Sequence, residues 1–532
     1  MKKSLLLSTV ALGALSCATM LLATAAQAQI QTVQVSGGTV QGVVSGRIAS
    51  FKGIPFAAPP TGELRWRAPA PVRPWTGVKM ADTFAAGCMQ APGMSVTFGA
   101  PNRFDEDCLY LNVWTPARAP GEKLAVMVWI YGGGFGAGTT SIPLYDGTRL
   151  AEKGVVLVSV AYRLGPFGFL AHPDLSRESG KGSGTYGLQD MIAGLQWVKS
   201  NIAAFGGDPT RVTVFGESAG GIAVSMLAAS PSAKGLFQRA ISESGGNFAP
   251  PKFAREGGQN GQSLKVAEQS GRAYLDALGA HDLKAARALN PEQLLQAAGP
   301  DLTGFWPAFD ANILPGDQFE LYSAGRFNDV PILIGTNSDE GALFARPGVT
   351  KASFEAQIRA GFDAQADSIL AVYPHATDAE AIKSSKNVMR DSGFAWGTWT
   401  WARLQSGKSA NKVYVYYFDH RTAVSPEGAS HGSEIGYVFR QLKGPGAPPG
   451  ANTTAAEEQA LSELVSDYWV NFAKNADPNG AGLPAWPAFS LPTQQVMHID
   501  GTPKPQTVPN LTQLQALDAY YAFRRQQIRE RK

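Results

Sequence analysis

The stretch that most constrains the fold is residues 205–221, which read FGGDPTRVTVFGESAGG. Arg211 to Phe215 is a short β-branched run that alternates like a buried strand. Gly216 to Gly220 (GESAG) follows at once, and Ile222 to Ala229 is helical in character. A serine on so sharp a turn is strained, and its neighbours two residues away must lack a Cβ for strand and helix to approach. The stretch therefore predicts a strand–turn–helix unit that presents the Ser218 hydroxyl at the positive end of the helix.

A strand, a G-x-S-x-G turn and a helix in this order form the nucleophile elbow of the α/β-hydrolase fold. Three small residues match often by chance, and the alternative is an exposed turn serine, but here both flanking elements are legible. The sequence thus predicts an α/β fold with a large, mostly parallel central sheet flanked by helices. Val33 to Ala49 predicts an N-terminal antiparallel hairpin, and Phe253 to Ala298, which is polar and helical, predicts a cap-like insertion.

Further strands and one long helix fit this layout. Tyr186 to Phe205 carries an apolar stripe at helical spacing. Nearly continuous apolar runs are typical of parallel strands covered on both faces, and they occur at Leu124 to Tyr131, Val155 to Tyr162, Val330 to Ile334 and Lys412 to Phe418.

Three segments give the chain a family resemblance. GIPFAAPPTGELRW (53–66), EDCLYLNVW (106–114) and FGGDPTRVTVFGESAG (205–220) resemble the type-B carboxylesterases, the cholinesterase-like branch of the α/β-hydrolases. The resemblance runs from about Gly37 to Phe489. It implies one domain over residues 29–532 and a serine esterase that acts through an acyl-enzyme on Ser218.

A serine hydrolase also needs a carboxylate that orients the base. Residues 335–341 (GTNSDEG) follow a predicted strand and offer two adjacent carboxylates. The family pattern G-x-N-x-x-E-G places the role on Glu340, and Asp339 is the alternative. Both could also be solvated loop residues.

The base is expected on a loop after a late strand, and the order Ser, Glu, His is that of the α/β-hydrolases. Of the six histidines, His431 in the segment SHGSEI fits this setting, with His420 as the runner-up. Because a histidine base must be neutral to accept a proton, activity is expected to fall as the pH drops through about 6 to 7.

A triple-glycine turn follows the strand that ends at Tyr131. By resemblance, the backbone N–H groups of Gly133, Gly134 and Ala219 form an oxyanion hole, whereas the alternative is a flexible glycine-rich loop. Residues beside the site are expected to support it without contacting substrate, and these are Glu217, Ser244 and Glu434.

The N-terminus predicts export. Lys2 and Lys3 precede an apolar stretch from Leu5 to Ala26, and Ala26-Gln27-Ala28 fits a signal-peptidase site, so cleavage is expected after Ala28. A membrane anchor and a lipid attached at Cys17 are the alternatives. The mature protein is expected to be periplasmic or secreted, with no stable membrane insertion.

In such an oxidising compartment Cys88 and Cys108 are expected to form a disulfide, with two free thiols as the alternative. Loss of the signal lowers the formal charge from +3 to +1, so nothing indicates a nucleic-acid partner. No spacing suits a metal and no motif suits a nucleotide, so no cofactor is expected. A C-terminal helix from Leu511 to Ile528 is expected to dock on its own domain; dimerisation through it is the alternative, and the oligomeric state, monomer or dimer, stays open.

The function predicted from the sequence is hydrolysis of small-molecule carboxylic esters. A non-catalytic cholinesterase-like binding protein and an amidase with the same triad are the alternatives. Phenolic, mycotoxin, polyester and general short-chain esters all remain open as substrates. Residues 89–107 lack the tryptophan that cholinesterases carry inside this disulfide loop, which argues against a preference for choline esters.

Overall fold

The computed structural model describes residues 29–253, 260–299, 305–444, 450 and 455–530. The predicted signal peptide, residues 1–28, lies outside the described residues. An eleven-stranded sheet forms the centre of the protein. Its strands, numbered along the chain, are β1 (Val43–Ser45), β2 (Ile48–Pro55), β3 (Tyr110–Thr115), β4 (Leu124–Ile130), β5 (Val156–Val160), β6 (Gly207–Glu217), β7 (Arg239–Glu243), β8 (Ile332–Asn337), β9 (Val413–Phe418), β10 (Gln495–Ile499) and β11 (Lys504–Thr507).

The strand order across this sheet is β11-β10-β9-β8-β7-β6-β4-β5-β3-β2-β1. The seven strands from β10 to β5 run parallel to one another, whereas β11 at one edge and β3, β2 and β1 at the other pair antiparallel. The mostly parallel sheet is therefore confirmed. The strand order reverses beside β4, and the carboxyl ends of strands at such a switch point are where α/β sheets bind ligands.

The N-terminal region contains two hairpins. Thr32–Val35 pairs antiparallel with Gly38–Gln41, and Val78–Met80 adds a third strand to that small sheet. The second hairpin is β1–β2, which extends the large sheet through β3. Two minor strand pairs join Gly87–Cys88 to Phe104–Asp105 and Gln262–Ser263 to Ala308–Phe309.

Helices flank the sheet. The longer ones and those used below are α1 (Tyr186–Asn201), α2 (Ala219–Ala229), α3 (Leu264–Ala277), α4 (Leu283–Ala288), α5 (Pro291–Ala298), α6 (Lys351–Phe362), α7 (Asp378–Arg390), α8 (Trp396–Lys408), α9 (Ser433–Val438), α10 (Ala456–Asn475) and α11 (Leu511–Glu530). Shorter helices span Gly93–Thr97, Thr148–Ala151, Gly165–Phe169, Pro173–Ser179, Gln318–Ser323 and Ala366–Leu370.

The core follows from burial of the parallel strands on both faces. Every residue of β5 is buried, and so is every residue of β4 after Leu124. The Trp129 ring of β4 lies 4.8 Å from Phe215 of β6 and 4.9 Å from Phe439. Offset and edge-on aromatic contacts of this kind add to the free energy gained by burying apolar area. In the part of the chain that the structure describes, no helix is long and apolar enough to cross a membrane.

The predicted insertion contains helices α3, α4 and α5. It is tied to the rest of the chain by Arg65, which donates to the carbonyl oxygen of Leu289 at 2.7 Å, and by Arg287, which pairs with Glu178 at 2.7 Å. That the insertion shapes the entrance to the site stays a prediction.

Helix α11 packs against its own chain, as expected. Its buried residues are Leu514, Leu517, Tyr520 and Arg525. The Arg525 guanidinium donates to the carbonyl oxygen of Phe248 and pairs with Asp317 at 3.3 Å.

Cys88 and Cys108 are bonded to each other, so the expected disulfide is present. Both residues are buried, and the bridge closes a loop with a sequence separation of 20 residues. A crosslink of this span restricts the unfolded chain and stabilises the fold by about 3 kcal/mol on the chain-entropy account.

We expect the double variant Cys88→Ser/Cys108→Ser to lose about 3 kcal/mol of unfolding free energy relative to the oxidised wild type, because its unfolded chain is less restricted. Urea unfolding of both proteins under oxidising conditions measures this difference. Wild type treated with reductant is the matched control and should unfold at the same urea concentration as the variant. A non-reduced peptide map of exported protein with two free thiols would contradict the prediction.

Candidate functional site

Ser218 occupies the strained turn between β6 and α2. Its backbone has φ 54° and ψ −124°, a region that non-glycine residues rarely adopt. A Cβ added to Gly216 or Gly220 would lie 2.5 Å or 2.0 Å from the Ile130 carbonyl oxygen, so the close approach of β4 requires both glycines. The strand is longer than predicted, and the helix begins at Ala219, directly after the serine.

The carboxyl ends of three neighbouring strands, β6, β7 and β8, bring polar residues of the site together. Glu217 at the end of β6 lies in register with Glu243 at the end of β7. The Ser218 N–H donates to the Glu243 carbonyl oxygen at 2.9 Å, and the Ser244 N–H donates to the Gly335 carbonyl oxygen at 2.9 Å. The backbones at this edge are therefore hydrogen-bonded from strand to strand.

Glu340 and His431 form a buried pair. His431 Nδ1 lies 2.5 Å from Glu340 Oε2, with 7% of the histidine side chain and none of the glutamate side chain exposed. The other carboxylate oxygen, Oε1, accepts from Ser244 Oγ at 2.5 Å and from the Asn337 N–H at 2.8 Å. The carboxylate is thus held from three sides, and it anchors Nδ1 of the imidazole that it contacts.

The two runner-up residues lie elsewhere. Asp339 faces Lys386, with Nζ 3.5 Å from its carboxylate. His420 Nε2 lies 2.9 Å from Glu458 Oε1, and the other oxygen of Glu458 accepts from Tyr437.

The second nitrogen of His431, Nε2, lies 3.1 Å from Glu217 Oε1. Among the described residues no hydrogen bond joins Ser218 Oγ to this ring. Burial lowers the pKa of His431, but Glu217 and Glu340 outweigh this effect and raise the pKa to about 9. Burial raises the pKa of Glu217 to about 8. The two side chains therefore compete for one proton, and the pair releases it at a higher pH than an ordinary histidine does.

Two more buried carboxyl groups complete a cluster of four. Glu434 Oε2 accepts from Asn337 Nδ2 at 2.5 Å, and Glu243 Oε1 accepts from Trp469 Nε1 at 2.8 Å. Burial raises the pKa of Glu434 to about 7 and that of Glu243 well above its ordinary range. Sequence reasoning missed Glu243, whose signal is a carboxylate that ends an apolar strand.

The glycine turn after β4 leaves backbone donors available. Gly133 has φ 102° and Gly134 has φ 62°. A Cβ on Gly133 would lie 2.3 Å from the Ala137 carbonyl oxygen. In residues 29–253, 260–299, 305–444, 450 and 455–530, the N–H groups of Gly133, Gly134 and Ala219 donate to no protein acceptor. That these three groups form an oxyanion hole stays a prediction.

Two aromatic rings that the sequence did not point to contact the imidazole. The ring centroids of Phe394 and Phe344 lie 4.6 Å and 5.4 Å from that of His431. Phe344 is 41% exposed and its chain neighbour Leu343 is 56% exposed, so part of an apolar surface adjoins the histidine at Phe344.

Among the described residues, no group of three or more His, Cys, Asp and Glu side chains is arranged to hold a metal ion.

Sequence comparisons identify relatives that are esterases. The chain is 38% identical to the fumonisin B1 esterase of Sphingopyxis macrogoltabida over 85% of this chain and 83% of the relative. It is 36% identical to the para-nitrobenzyl esterase of Bacillus subtilis (strain 168), over 88% and 95%. The acetylcholinesterase of Bungarus fasciatus is 34% identical, over 92% and 85%.

Solved structures agree with the sequence relatives. A PNB esterase superposes with a TM-score of 0.80 at 33% identity, covering 92% of this chain and 99% of that chain. A thermophilic PNB esterase gives the same values. The carboxylesterase family model matches residues 29–518. The chain therefore belongs to the carboxylesterase family and is a carboxylic ester hydrolase with the α/β-hydrolase fold.

Proposed function

We propose that this protein is an exported serine carboxylesterase, one domain over residues 29–532, that acts through a Ser218–His431–Glu340 triad. The observation that carries the proposal is the buried imidazole of His431, which is held by Glu340 on one side and follows the family order Ser, Glu, His in the chain. Ser218 supplies the hydroxyl on the strained turn at the start of α2. The disulfide and the predicted signal peptide support export.

In the first half of the reaction, Ser218 Oγ attacks the ester carbonyl carbon while His431 Nε2 takes the hydroxyl proton. The carbonyl oxygen becomes an oxyanion, which the N–H groups of Gly133, Gly134 and Ala219 stabilise. The tetrahedral intermediate then expels the alkoxide, which leaves as the alcohol with the proton from His431.

In the second half, water attacks the acyl-enzyme and gives its proton to His431. Collapse of the second intermediate releases the carboxylic acid and returns the proton to Ser218. For both steps His431 Nε2 turns from Glu217 towards Ser218, and such catalytic hydrogen bonds commonly tighten only when substrate is bound. Glu340 stabilises the imidazolium throughout.

We expect Ser218→Ala to abolish turnover of p-nitrophenyl butyrate while the protein stays folded, because the nucleophile is lost and the turn keeps a small residue. Intact-mass spectra after treatment with an organophosphate should show one adduct on wild type and none on the variant. Ser225→Ala is a matched control, since this serine lies within the same helix, donates to Ile222 and is buried. An adduct on the Ser218 variant would place the nucleophile elsewhere.

The pH dependence should reveal the environment of His431. Because its pKa is raised, the imidazole stays protonated, and unable to act as a base, up to a higher pH than an ordinary histidine. We expect the acid limb of kcat/KM to lie above the range of about pH 6 to 7 that an ordinary histidine gives, and therefore higher than the sequence alone indicated. Glu217→Gln removes one carboxylate beside Nε2, so the limb should move to lower pH by about one unit.

Glu458→Gln is the control for this shift, because it removes the partner of a different histidine, His420. Its profile should match that of wild type. An unchanged limb in Glu217→Gln would show that Glu217 does not act on the base.

The acyl and alcohol groups that the enzyme prefers depend on the side chains around the site rather than on the triad itself. We propose neutral esters over choline esters, since residues 89–107 hold two phenylalanines and no tryptophan. Phe98 and Phe104 are partly buried and pack against the core, and a phenyl ring attracts a quaternary ammonium less strongly than the indole of tryptophan does.

We expect a neutral butyl ester to exceed the matching choline ester in kcat/KM. A panel of p-nitrophenyl esters of rising chain length, with fumonisin B1 added because a relative bears that name, would define the acyl range. Matched anilides test the amidase alternative. A choline ester that wins by about tenfold, or about 1.4 kcal/mol, would show that another aromatic residue binds the cation.

A further inference from the structure

Two short loops carry the acid and the base of the proposed triad, and they are hydrogen-bonded to each other. We name residues 337–340 the acid loop and residues 429–431 the base loop. The Asp339 N–H donates to the Ala429 carbonyl oxygen at 2.8 Å. Asn337 Nδ2 donates to the Ser430 carbonyl oxygen at 2.9 Å. The two loops thus form a short parallel bridge, and the distance between Glu340 and His431 depends on it.

Ser338 is the junction of this bridge. Its Oγ accepts from the Ala429 N–H at 2.8 Å, and its own N–H donates to the Phe418 carbonyl oxygen at 2.9 Å. Gly428 approaches so closely that an added Cβ would lie 2.4 Å from the Ser338 Oγ. The Ser338 hydroxyl therefore packs directly against Gly428, and any side chain at position 428 would displace it.

Arg390 at the end of α7 holds the same junction from the other side. Its Nη1 donates to the Ser338 carbonyl oxygen at 3.1 Å, and the residue is 7% exposed. Its charge is neutralised by Asp391, with Nε–Oδ1 2.8 Å and Nη2–Oδ2 3.2 Å, and Tyr373 donates to Asp391 at 2.9 Å. A guanidinium fixed in this way keeps little rotational freedom.

The segment after Arg390 contacts the base itself. Asp391–Ala395 forms a π-helical turn between α7 and α8, a local irregularity that is frequent at functional sites. Phe394 in this turn places its ring 4.6 Å from the His431 ring. One helical segment therefore contacts the acid loop through Arg390 and the base through Phe394.

We propose that Arg390 and Ser338 are positioning residues, which set the separation of Glu340 and His431 by clamping the acid loop to the base loop. The proposal rests on the proposed function in so far as it treats His431 as the base. Neither residue touches substrate. Their effect is geometric: a looser bridge lengthens the distance from Glu340 to His431 Nδ1, and the carboxylate then stabilises the imidazolium less.

The test compares Ser338→Ala and Arg390→Lys with wild type. Ser338→Ala removes one acceptor and little volume, whereas Arg390→Lys keeps the charge and loses the forked contact with both Ser338 and Asp391. Ser384→Ala is the matched control, because this buried serine lies on the same helix and donates to Pro374, outside both loops. Titration with an organophosphate gives the concentration of reactive serine, so that kcat is compared per active site.

We expect kcat to fall about fivefold in both variants, because the displaced carboxylate stabilises the imidazolium of the transition state less, with KM changed by less than about twofold. The acid limb of kcat/KM should move to lower pH. Glu217, Glu340 and Glu434 are the charged groups that act on His431, and all three stay in place in each variant. NMR titration of the His431 ring, assigned with His431→Gln, should show the same downward shift in pKa.

If the variants unfold at lower temperature but keep the wild-type kcat, pH limb and NMR titration, the clamp is only structural and the proposal is wrong. If Arg390→Lys fails to fold, Ser338→Ala decides. If wild type hydrolyses no ester, the proposed function fails, and the NMR titration still decides whether Ser338 and Arg390 set the Glu340–His431 contact.

Discussion

The contact on which the site depends is the buried hydrogen bond between Glu340 and His431. Removing a carboxylate from water is costly unless its oxygens find donors, and here Ser244 and Asn337 supply them beside the imidazole. These donors come from the ends of different strands, so the carboxylate can be held in this way only when the sheet is correctly assembled. The proposed chemistry and the fold are thus coupled through one buried group.

A parallel sheet can bring such donors together because its strands end at a common edge. Glu217 and Glu243 are register partners there, and backbone hydrogen bonds link Ser218 to β7 and Ser244 to β8. The same arrangement places Glu217, Glu340 and Glu434 around one imidazole, with Glu243 behind them. Burial raises the pKa of Glu217 and of Glu434, so each holds a proton up to a higher pH than an exposed glutamate does. The folded state binds their protons more tightly than the unfolded chain does, so their contribution to stability falls as the pH rises through the raised values.

Local patterns predicted a large part of this arrangement. The elbow, the apolar parallel strands and the disulfide left clear signals, because each depends on residues close in sequence or on composition. Glu243 left only a weak signal, a carboxylate at the end of an apolar strand. Arg390 and Phe394 left none, since their contacts join distant segments; Arg390 lies 52 positions after Ser338 in the chain. The strand boundaries also differ from those predicted. Strand β6 begins at Gly207 rather than Arg211, because Gly207 pairs with Leu124 of β4, and no local sequence pattern contains that contact.

The segment that follows Glu340 passes from the buried core to the surface within four residues. Glu340 is fully buried, yet Leu343 and Phe344, three and four residues later, are exposed, and the Phe344 ring lies next to His431. A Cβ on Gly341 would lie 2.1 Å from the Lys386 carbonyl oxygen, so the backbone is locked against α7 directly after the acid. This close packing of Gly341 on α7 separates Glu340 from substitutions further along the segment. Substitutions at the two exposed positions therefore change the exposed apolar surface, while the backbone that carries Glu340 stays packed against α7.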